Sequence, residues 1–238
     1  MLDREFIEVE IREALFQMIP NKALGLDGMT TYFYQRYWEV LGGDITKASL
    51  QVLNGNADLS SINKTNIVLI PKVRSPSSPK QYRPISLCNI IYKIIAKVLA
   101  NRLKLMLNEI IGQNQCAFVP GRLIFDNAMV TFETVHSMKE RQMGNVGEMA
   151  LKLDMSKAYN RVEWKYLEGV MRIMGFFEKW ISLMMKCVES ITYSVFDQWK
   201  TMEISNEQGD HLFPYLFLLY AKGFSSLLHK AQKKMKIQ

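Results

Sequence analysis

Hydrophobic residues recur at helical spacing along most of the chain. This periodicity predicts an opening amphipathic helix, a long helix over about 90–111 and a further helix over 126–140. Another helical stretch follows Asn160, whose side chain is a candidate N-cap with Glu163 as its capping-box partner, and Gly175 is a candidate C-terminal stop. The chain is therefore expected to be rich in helix.

A few short stretches show the patterns that are typical of β-strands. The apolar run from Ile62 to Pro71 predicts a buried strand, and residues 191–204 predict a hairpin. The stretch from Val73 to Pro84 is rich in Ser, Pro and basic residues, which predicts a turn. Many helices with few strands place the chain in the α+β class.

A short strand over 150–154 is predicted to carry an acidic side chain at its tip. Leu151 and Leu153 share one face, which is expected to contact the core, while Lys152 and Asp154 share the other. Asp154 is therefore the first candidate for chemistry. Many strand-to-helix turns carry an aspartate that only caps or is solvated, so the spacing alone leaves both interpretations open.

Basic residues are concentrated in one part of the chain. The 238 residues are 48% hydrophobic, enough for a substantial core, and carry a formal net charge of +7. No acidic residue lies between Asp58 and Glu109. A stretch that holds many basic residues and no acidic ones suits a polyphosphate partner. A basic helix face that is only solvated has the same composition, so both interpretations stay open. The bases in this block are Lys64, Lys72, Arg74, Lys80, Arg83, Lys93, Lys97, Arg102 and Lys104.

The remaining composition indicates neither a disulfide framework nor a membrane protein. Cys88, Cys116 and Cys187 are odd in number and far apart, which favours a reducing compartment and gives no zinc spacing. The longest apolar run, from Tyr215 to Ala221, is too short to span a bilayer. We therefore expect no membrane partner.

The fourteen residues from Leu151 to Trp164 resemble the segment of reverse transcriptases that carries the first catalytic aspartate, especially in the non-LTR (LINE-type) retrotransposon family of plants. The resemblance implies that Asp154 is catalytic, and that its carboxylate and the backbone carbonyl of Met155 hold metal. It also implies that Tyr159 forms the wall of the sugar pocket. Asn160 stands where the family usually has Asp.

Further blocks resemble the same family in the same order along the chain. Leu69-Ile70-Pro71-Lys72 and Tyr82-Arg83-Pro84-Ile85-Ser86-Leu87 resemble its fingers motifs, which implies that Lys72 and Arg83 approach the triphosphate of the nucleotide. A block that ends at Arg122 implies a contact with the template or primer backbone. The block around Gln208 and Gly209 implies that both line the nucleotide pocket, although Glu207, His211 and Phe213 replace the usual Arg, Pro and Ser.

The resemblance implies a right-hand polymerase arrangement. We expect a helical N-terminal extension over 1–60, a fingers-like region over 61–145 and a partial palm over 146–238. The implied reaction is RNA-templated DNA synthesis, with an RNA template, a DNA primer and a deoxynucleoside triphosphate (dNTP) as partners. The implied cofactor is a pair of Mg²⁺ ions, with Mn²⁺ as the alternative ion.

The family completes its metal site with a later Tyr/Phe-Ala-Asp-Asp hairpin, and no such string occurs in these residues. Two close divalent ions require several carboxylates. We therefore expect an incomplete two-ion site and a chain that is inactive alone, lacking also the thumb. The alternatives are a non-catalytic RNA- or DNA-binding module, and one half of an enzyme that a second chain completes.

Overall fold

The computed structural model describes residues 2–21, 25, 27–55, 57–140, 150, 161–195 and 210–235. Over these residues the chain forms eight α-helices and three β-strands, which confirms the helix-rich α+β class. The helices are α1 (Glu8–Phe16), α2 (Thr31–Arg36), α3 (Trp38–Leu53), α4 (Ile90–Ile110), α5 (Ile124–Glu140), α6 (Trp164–Ile173), α7 (Glu178–Glu189) and α8 (Phe213–Met235). The strands are β1 (Lys64–Pro71), β2 (Tyr82–Cys88) and β3 (Thr192–Val195).

Helix α4 lies at the centre of the fold. It packs against α1, α3 and α8, and its side chains are buried on nearly every side. Lys93 is only 8% exposed and Arg102 only 2%, so a solvated basic helix face, the alternative offered for this block, does not describe either of them. For Arg102 the local spacing could not show this, because residues 2–10 cover its side chain.

The guanidinium of Arg102 holds the N-terminal segment against α4. Its Nε and one Nη donate to the two carboxylate oxygens of Glu10, each over 2.7 Å. Its remaining N–H groups donate over 2.6–3.2 Å to main-chain carbonyls, those of Leu2, Arg4 and Glu5. All five guanidinium N–H groups are therefore bonded, as a buried arginine requires. Burial alone would raise the pKa of Glu10. Its hydrogen bonds and the charge of Arg102 together lower the pKa by more, so the net shift is downward.

The three strands form one sheet in the order β2-β1-β3. Strand β1 pairs antiparallel with β2 and parallel with β3. The predicted strand over 62–71 is confirmed as β1, but the predicted turn is wrong at its end, because β2 already begins at Tyr82. Pro84 suggested a turn. It is tolerated here because β2 lies at an edge of the sheet, where a missing N–H is accommodated.

Strands β1 and β2 extend beyond the core as a two-stranded ribbon. Thr65 and Ile67 are buried on one face of the sheet, whereas Leu69 and Ile70 farther along β1 are exposed. The ladder continues past β1, since the Lys72 N–H donates to the Gln81 carbonyl over 2.8 Å. The ribbon tip, residues 72–81, therefore projects from the body of the protein.

Helix α6 confirms one predicted boundary and corrects the other. Gly175, at a φ of 81°, ends it in a Schellman motif with Phe176 N–H bonded to Met171 carbonyl. The helix begins only at Trp164, so the predicted start is wrong, and the predicted cap Asn160 lies outside the described residues. Val162 matched the helical spacing, but it is 7% exposed and packs into the core as a non-helical residue.

Strand β3 is the first strand of the predicted hairpin over 191–204, and the second lies outside the described residues. A single hydrophobic core contains residues of all three predicted regions, from Leu2 to Leu219. The division at 60 and 145 stays a prediction. Among the described helices, none combines the length and the apolar character that a membrane span needs.

Replacing Arg102 with Leu is expected to lower the free energy of unfolding by roughly 3–5 kcal/mol, because Glu10 is left without its buried partner. Arg4→Leu is the matched control. Arg4 also contacts Glu10, at 3.5 Å, but its side chain is 60% exposed, so the expected loss is below about 1 kcal/mol. Urea unfolding of both variants measures the difference. Equal losses of unfolding free energy would contradict the role of Arg102 in holding the N-terminal segment against α4.

Candidate functional site

The structure describes three of the predicted site residues. Lys72 and Arg83 lie on the ribbon, and Arg122 lies after α4. The other five lie outside the described residues, and their predicted roles stay predictions: Asp154, Met155, Tyr159, Gln208 and Gly209.

Lys72 and Arg83 share one face of the ribbon. Arg83 lies opposite Ile70, and Lys72 follows Ile70 by two positions on the continued ladder. Strand alternation therefore places both side chains on the same face. As diagonal neighbours, the two residues have Cα atoms roughly 7–8 Å apart. Both residues are exposed. The Lys72 Nζ donates to the Lys80 carbonyl over 3.0 Å, which steadies the ammonium and leaves two of its donors for a ligand.

The bases of the ribbon have no acidic neighbour close to them in the sequence. Arg74 and Lys80 are also exposed near the ribbon tip, and the sequence has no acidic residue from Leu59 to Asn108. A lysine point charge and an arginine fork can together neutralise several phosphate oxygens. The ribbon therefore presents a cationic surface that suits a polyphosphate.

Arg122 has a structural role. Its guanidinium donates to three main-chain carbonyls beyond the C-terminal end of α4, over 2.6–3.1 Å, those of Ile111, Gly112 and Gln115. One of these acceptors, the Ile111 carbonyl at the C-cap, is a group that a helix end leaves unpaired. Helix α4 has 21 residues, so this end lies about 30 Å along the axis from the β2–α4 junction. The hydrogen bonds of Arg122 are all to main-chain carbonyls near its own segment, and among the described residues none joins it to Lys72 or Arg83.

A second polar group lies where α8 begins. The buried Tyr92 hydroxyl donates to Asp210 Oδ2 over 2.7 Å, and the Leu212 N–H donates to Asp210 Oδ1 over 2.8 Å. A cavity of about 20 Å³ beside them is lined by residues of all three strands, including Thr65, Ser86 and Tyr193. That space suits one water molecule and no larger ligand. Asp210 meets the buried face of the sheet, whereas Lys72 and Arg83 belong to the other.

Burial governs the protonation of this group. It raises the pKa of Asp210, outweighing the hydrogen bonds from Leu212 and Tyr92 that lower it. It also raises the pKa of Tyr92 well above its usual value, helped by the charge of Asp210. Tyr92 is therefore a fixed donor and Asp210 its acceptor.

Sequence reasoning missed both residues, although each carried a signal. Tyr92 falls in the apolar face of α4 with Ile95 and Leu99, and a buried tyrosine hydroxyl needs a partner. Asp210 directly follows Gln208 and Gly209 in a block that resembled the family. Their pairing across 118 positions was not visible in the sequence.

Within the described part of the chain, no three His, Cys, Asp or Glu side chains are grouped so that they could hold a metal ion. The described acid Asp210 already has both oxygens hydrogen-bonded. The predicted donors, the Asp154 carboxylate and the Met155 carbonyl, are of the oxygen type that Mg²⁺ prefers. Both lie outside the described residues, so the metal site stays a prediction.

Comparison with known proteins identifies the family. Residues 63–238 match the sequence profile of the family described as Reverse transcriptase (RNA-dependent DNA polymerase). The Xenopus laevis protein described as "Transposon TX1 uncharacterized 149 kDa protein" is 35% identical over 167 residues, which are 70% of this chain. The Drosophila melanogaster "Retrovirus-related Pol polyprotein from type-2 retrotransposable element R2DM" is 28% identical over 165 residues, 67% of this chain.

The chain belongs to the reverse transcriptase family. The matches confirm the predicted identification as a reverse transcriptase domain of a non-LTR retrotransposon, while a plant source stays a prediction. The matched region spans 12% and 15% of the length of these two curated relatives. Members of this family generally use divalent metal ions.

The raised pKa of Asp210 predicts a pH-dependent stability difference. Between the ordinary value of 3.8 and the higher folded pKa, the folded chain binds more protons than the unfolded chain, so stability falls as pH rises. An Asp210→Asn variant has no carboxyl group at this position, so its stability does not fall with pH for this reason. Its stability relative to the unmodified chain should therefore increase with pH across that window and then level off.

Urea unfolding at several values from about pH 4 to pH 8 measures this difference. Asp58→Asn is the control, because hydrogen bonds from Ser60 lower the pKa of the exposed Asp58. Its small effect should have the opposite sign, with the unmodified chain gaining as pH rises. A difference at Asp210 that does not change with pH would contradict the assignment.

Proposed function

We propose that the chain contributes the fingers and part of the palm of an RNA-directed DNA polymerase, which adds deoxynucleotides to a DNA primer on an RNA template. The proposal rests on one observation. Two exposed cations, Lys72 and Arg83, share one face of a projecting ribbon, inside the region that matches the reverse transcriptase family. In this proposal the ribbon is the fingers element, and the regions 1–60, 61–145 and 146–238 keep their predicted assignments.

In the proposed reaction the primer 3′-oxygen attacks the α-phosphorus of the dNTP. A new P–O bond forms, the bond to the pyrophosphate breaks, and pyrophosphate leaves. Negative charge on the leaving group increases as this happens, and Lys72 and Arg83 would bind its phosphate oxygens. Tyr159 would form the wall of the sugar pocket, and Gln208 and Gly209 would line the nucleotide pocket, with Gln208 at its floor.

Asp154 and the Met155 carbonyl would hold divalent metal. When bound, Mg²⁺ would supply charge stabilisation at the reacting phosphate, with Mn²⁺ as a substitute. The expectation that the chain is inactive alone stays a prediction, and so does the contact of Arg122 with nucleic acid.

Primer extension on an RNA template tests the proposal. Because the chain is predicted to be inactive alone, we expect no extension by the unmodified chain, and extension after addition of a separate palm fragment should require dNTP and be abolished by Asp154→Asn. Extension that persists in this variant would contradict the assignment of the catalytic carboxylate. No extension by the folded, unmodified chain would favour the predicted inactivity over an independent polymerase.

Arg83→Gln is expected to raise the dissociation constant for dNTP about ten- to hundredfold, the equivalent of one charged hydrogen-bonding group. Lys64→Gln is the matched control. Lys64 is also an exposed base on β1, but it lies at the other end of the strand, opposite Thr192. Titration with a fluorescent dNTP measures both, and equal dissociation constants for the two variants would exclude Arg83 from the nucleotide site.

A second candidate function is a non-catalytic RNA-binding module. The exposed apolar residues Leu69, Ile70 and Val73 lie among the basic residues of the ribbon. This mixture suits the unpaired nucleobases and the phosphates of single-stranded RNA. Replacing the four ribbon bases, Lys72, Arg74, Lys80 and Arg83, with Gln should reduce the salt dependence of single-stranded RNA binding by about 3 in log–log slope. An unchanged slope would locate RNA elsewhere on the protein.

A further inference from the structure

We propose that two exposed amphipathic helix faces of this chain dock on each other between two copies of the protein. The acidic face belongs to α5, and the basic face belongs to the outer part of α8, residues 224–235. The proposal is independent of nucleotide binding and of polymerase activity, because it concerns a surface away from the Lys72–Arg83 pair.

Helix α5 has no buried side chain, and three of its large apolar residues form an exposed stripe. Phe125, Met129 and Phe132 are 59–80% exposed, and their spacings of four and three place them on one face. At about 3.6 residues per turn, Asn127 lies on roughly the opposite side of the helix. There its Oδ1 accepts from the Cys116 thiol over 3.2 Å. The stripe therefore faces away from the side by which α5 is held.

An acidic row runs beside this apolar stripe. Asp126, Glu133 and Glu140 are each seven positions apart, about two helical turns, so they follow one flank of α5. All three are exposed. The helix contains one lysine, Lys139, and no arginine. Helix α5 is thus an acidic, partly apolar surface in a chain whose formal net charge is +7.

The outer part of α8 shows the complementary pattern. Phe224, Leu227 and Leu228 share one face and are 42–54% exposed. No acidic residue follows Asp210 in the sequence, so the charge of this part is entirely positive. Its exposed lysines are Lys230, Lys233 and Lys234. A basic helix with an uncovered apolar stripe suits a partner that is both acidic and apolar.

Both faces lie towards one end of the molecule. Helix α8 runs beside α4, because Lys104 Nζ lies 5.4 Å from the centroid of the Tyr215 ring. Farther along both helices, a Cβ atom at Gly112 would lie 3.8 Å from Lys222 Nζ. The outer part of α8 therefore extends past the end of α4. The segment that follows this end carries Cys116, to which α5 is bonded.

A second copy of the chain is the one partner that suits both faces. Within one copy the two stripes stay exposed, so they are not packed against each other. A nucleic acid would bind the lysines of α8, but its phosphates would be repelled by the acids of α5. In a two-fold dimer, α8 of each copy lies on α5 of the other, and the two contacts are equivalent. A stable interface buries about 1,200–2,000 Å² in total, and this arrangement supplies two helix pairs towards that area.

The test uses the full chain with two charge reversals, Glu133→Lys on α5 and Lys230→Glu on α8. Sedimentation equilibrium at about 1–100 μM should show that the unmodified chain dimerises. Either reversal should raise the dissociation constant of the dimer about tenfold or more, because like charges then meet in both contacts. Glu39→Lys and Lys47→Glu are the matched controls. Both positions are exposed on α3, so these reversals should change the constant less than about twofold.

Mixing the two variants tests whether the faces meet between copies. In a mixed dimer the unchanged α8 of the Glu133→Lys chain meets the unchanged α5 of the Lys230→Glu chain, and the two reversed faces meet in the other contact. The equimolar mixture should therefore dimerise as tightly as the unmodified chain, although neither variant does so alone. This recovery also shows that both variants are folded.

Three results would overturn the proposal: an unmodified chain that stays monomeric, a dimer that neither reversal weakens, or a mixture that binds no more tightly than its components. If the chain is monomeric and Lys230→Glu weakens binding of single-stranded RNA, the outer part of α8 is a nucleic-acid surface instead. The proposed polymerase function is unaffected by any of these results.

Discussion

The fold depends on the neutralisation of one buried charge. Arg102 is enclosed at the middle of the protein, where an unpaired guanidinium would be severely destabilising. Glu10 and three carbonyls of the N-terminal segment satisfy all of its donors, and its guanidinium carbon lies 3.5 Å from the centroid of the Phe6 ring. Because these partners come from residues 2–10, the first helix cannot separate from α4 without breaking all five of these hydrogen bonds. The N-terminal segment is thus an integral part of the fold.

The same central helix joins the parts of the candidate site. Asn89 caps its start directly after β2, so the ribbon that carries Arg83 leads straight into α4. Three residues into the helix, Tyr92 reaches Asp210 at the beginning of α8. Helix α4 is therefore joined to the ribbon at its start and, through one hydrogen bond, to the turn before α8.

Local patterns predicted what local interactions determine. The extent of α4, strand β1 and the stop at Gly175 follow from periodicity and a positive φ, and the shared face of Lys72 and Arg83 follows from strand alternation. The local pattern gave wrong predictions where segments distant in the sequence determine the structure. Edge position made Pro84 acceptable in a strand, and packing took Val162 out of helix α6. The burial of Arg102 by residues 2–10 could not be inferred from α4 alone.

The candidate site was predictable to a similar degree. Resemblance selected Lys72 and Arg83, and the ribbon supplies a physical reason for their pairing. The resemblance also selected Arg122, but the guanidinium of this residue donates hydrogen bonds to main-chain carbonyls at and beyond the end of α4. Tyr92 and Asp210 were missed because their contact joins α4 to the turn before α8, two segments far apart in the sequence. No spacing rule connects them.

The central claim is that a nucleotide triphosphate binds at the ribbon. The most direct measurement is photocrosslinking with a dNTP that carries a photoreactive group on its γ-phosphate, followed by peptide mapping. The account predicts adducts within residues 69–87 that unlabelled dNTP suppresses. Suppressible adducts confined to the residues around Arg122, or to any surface away from the ribbon, would contradict it.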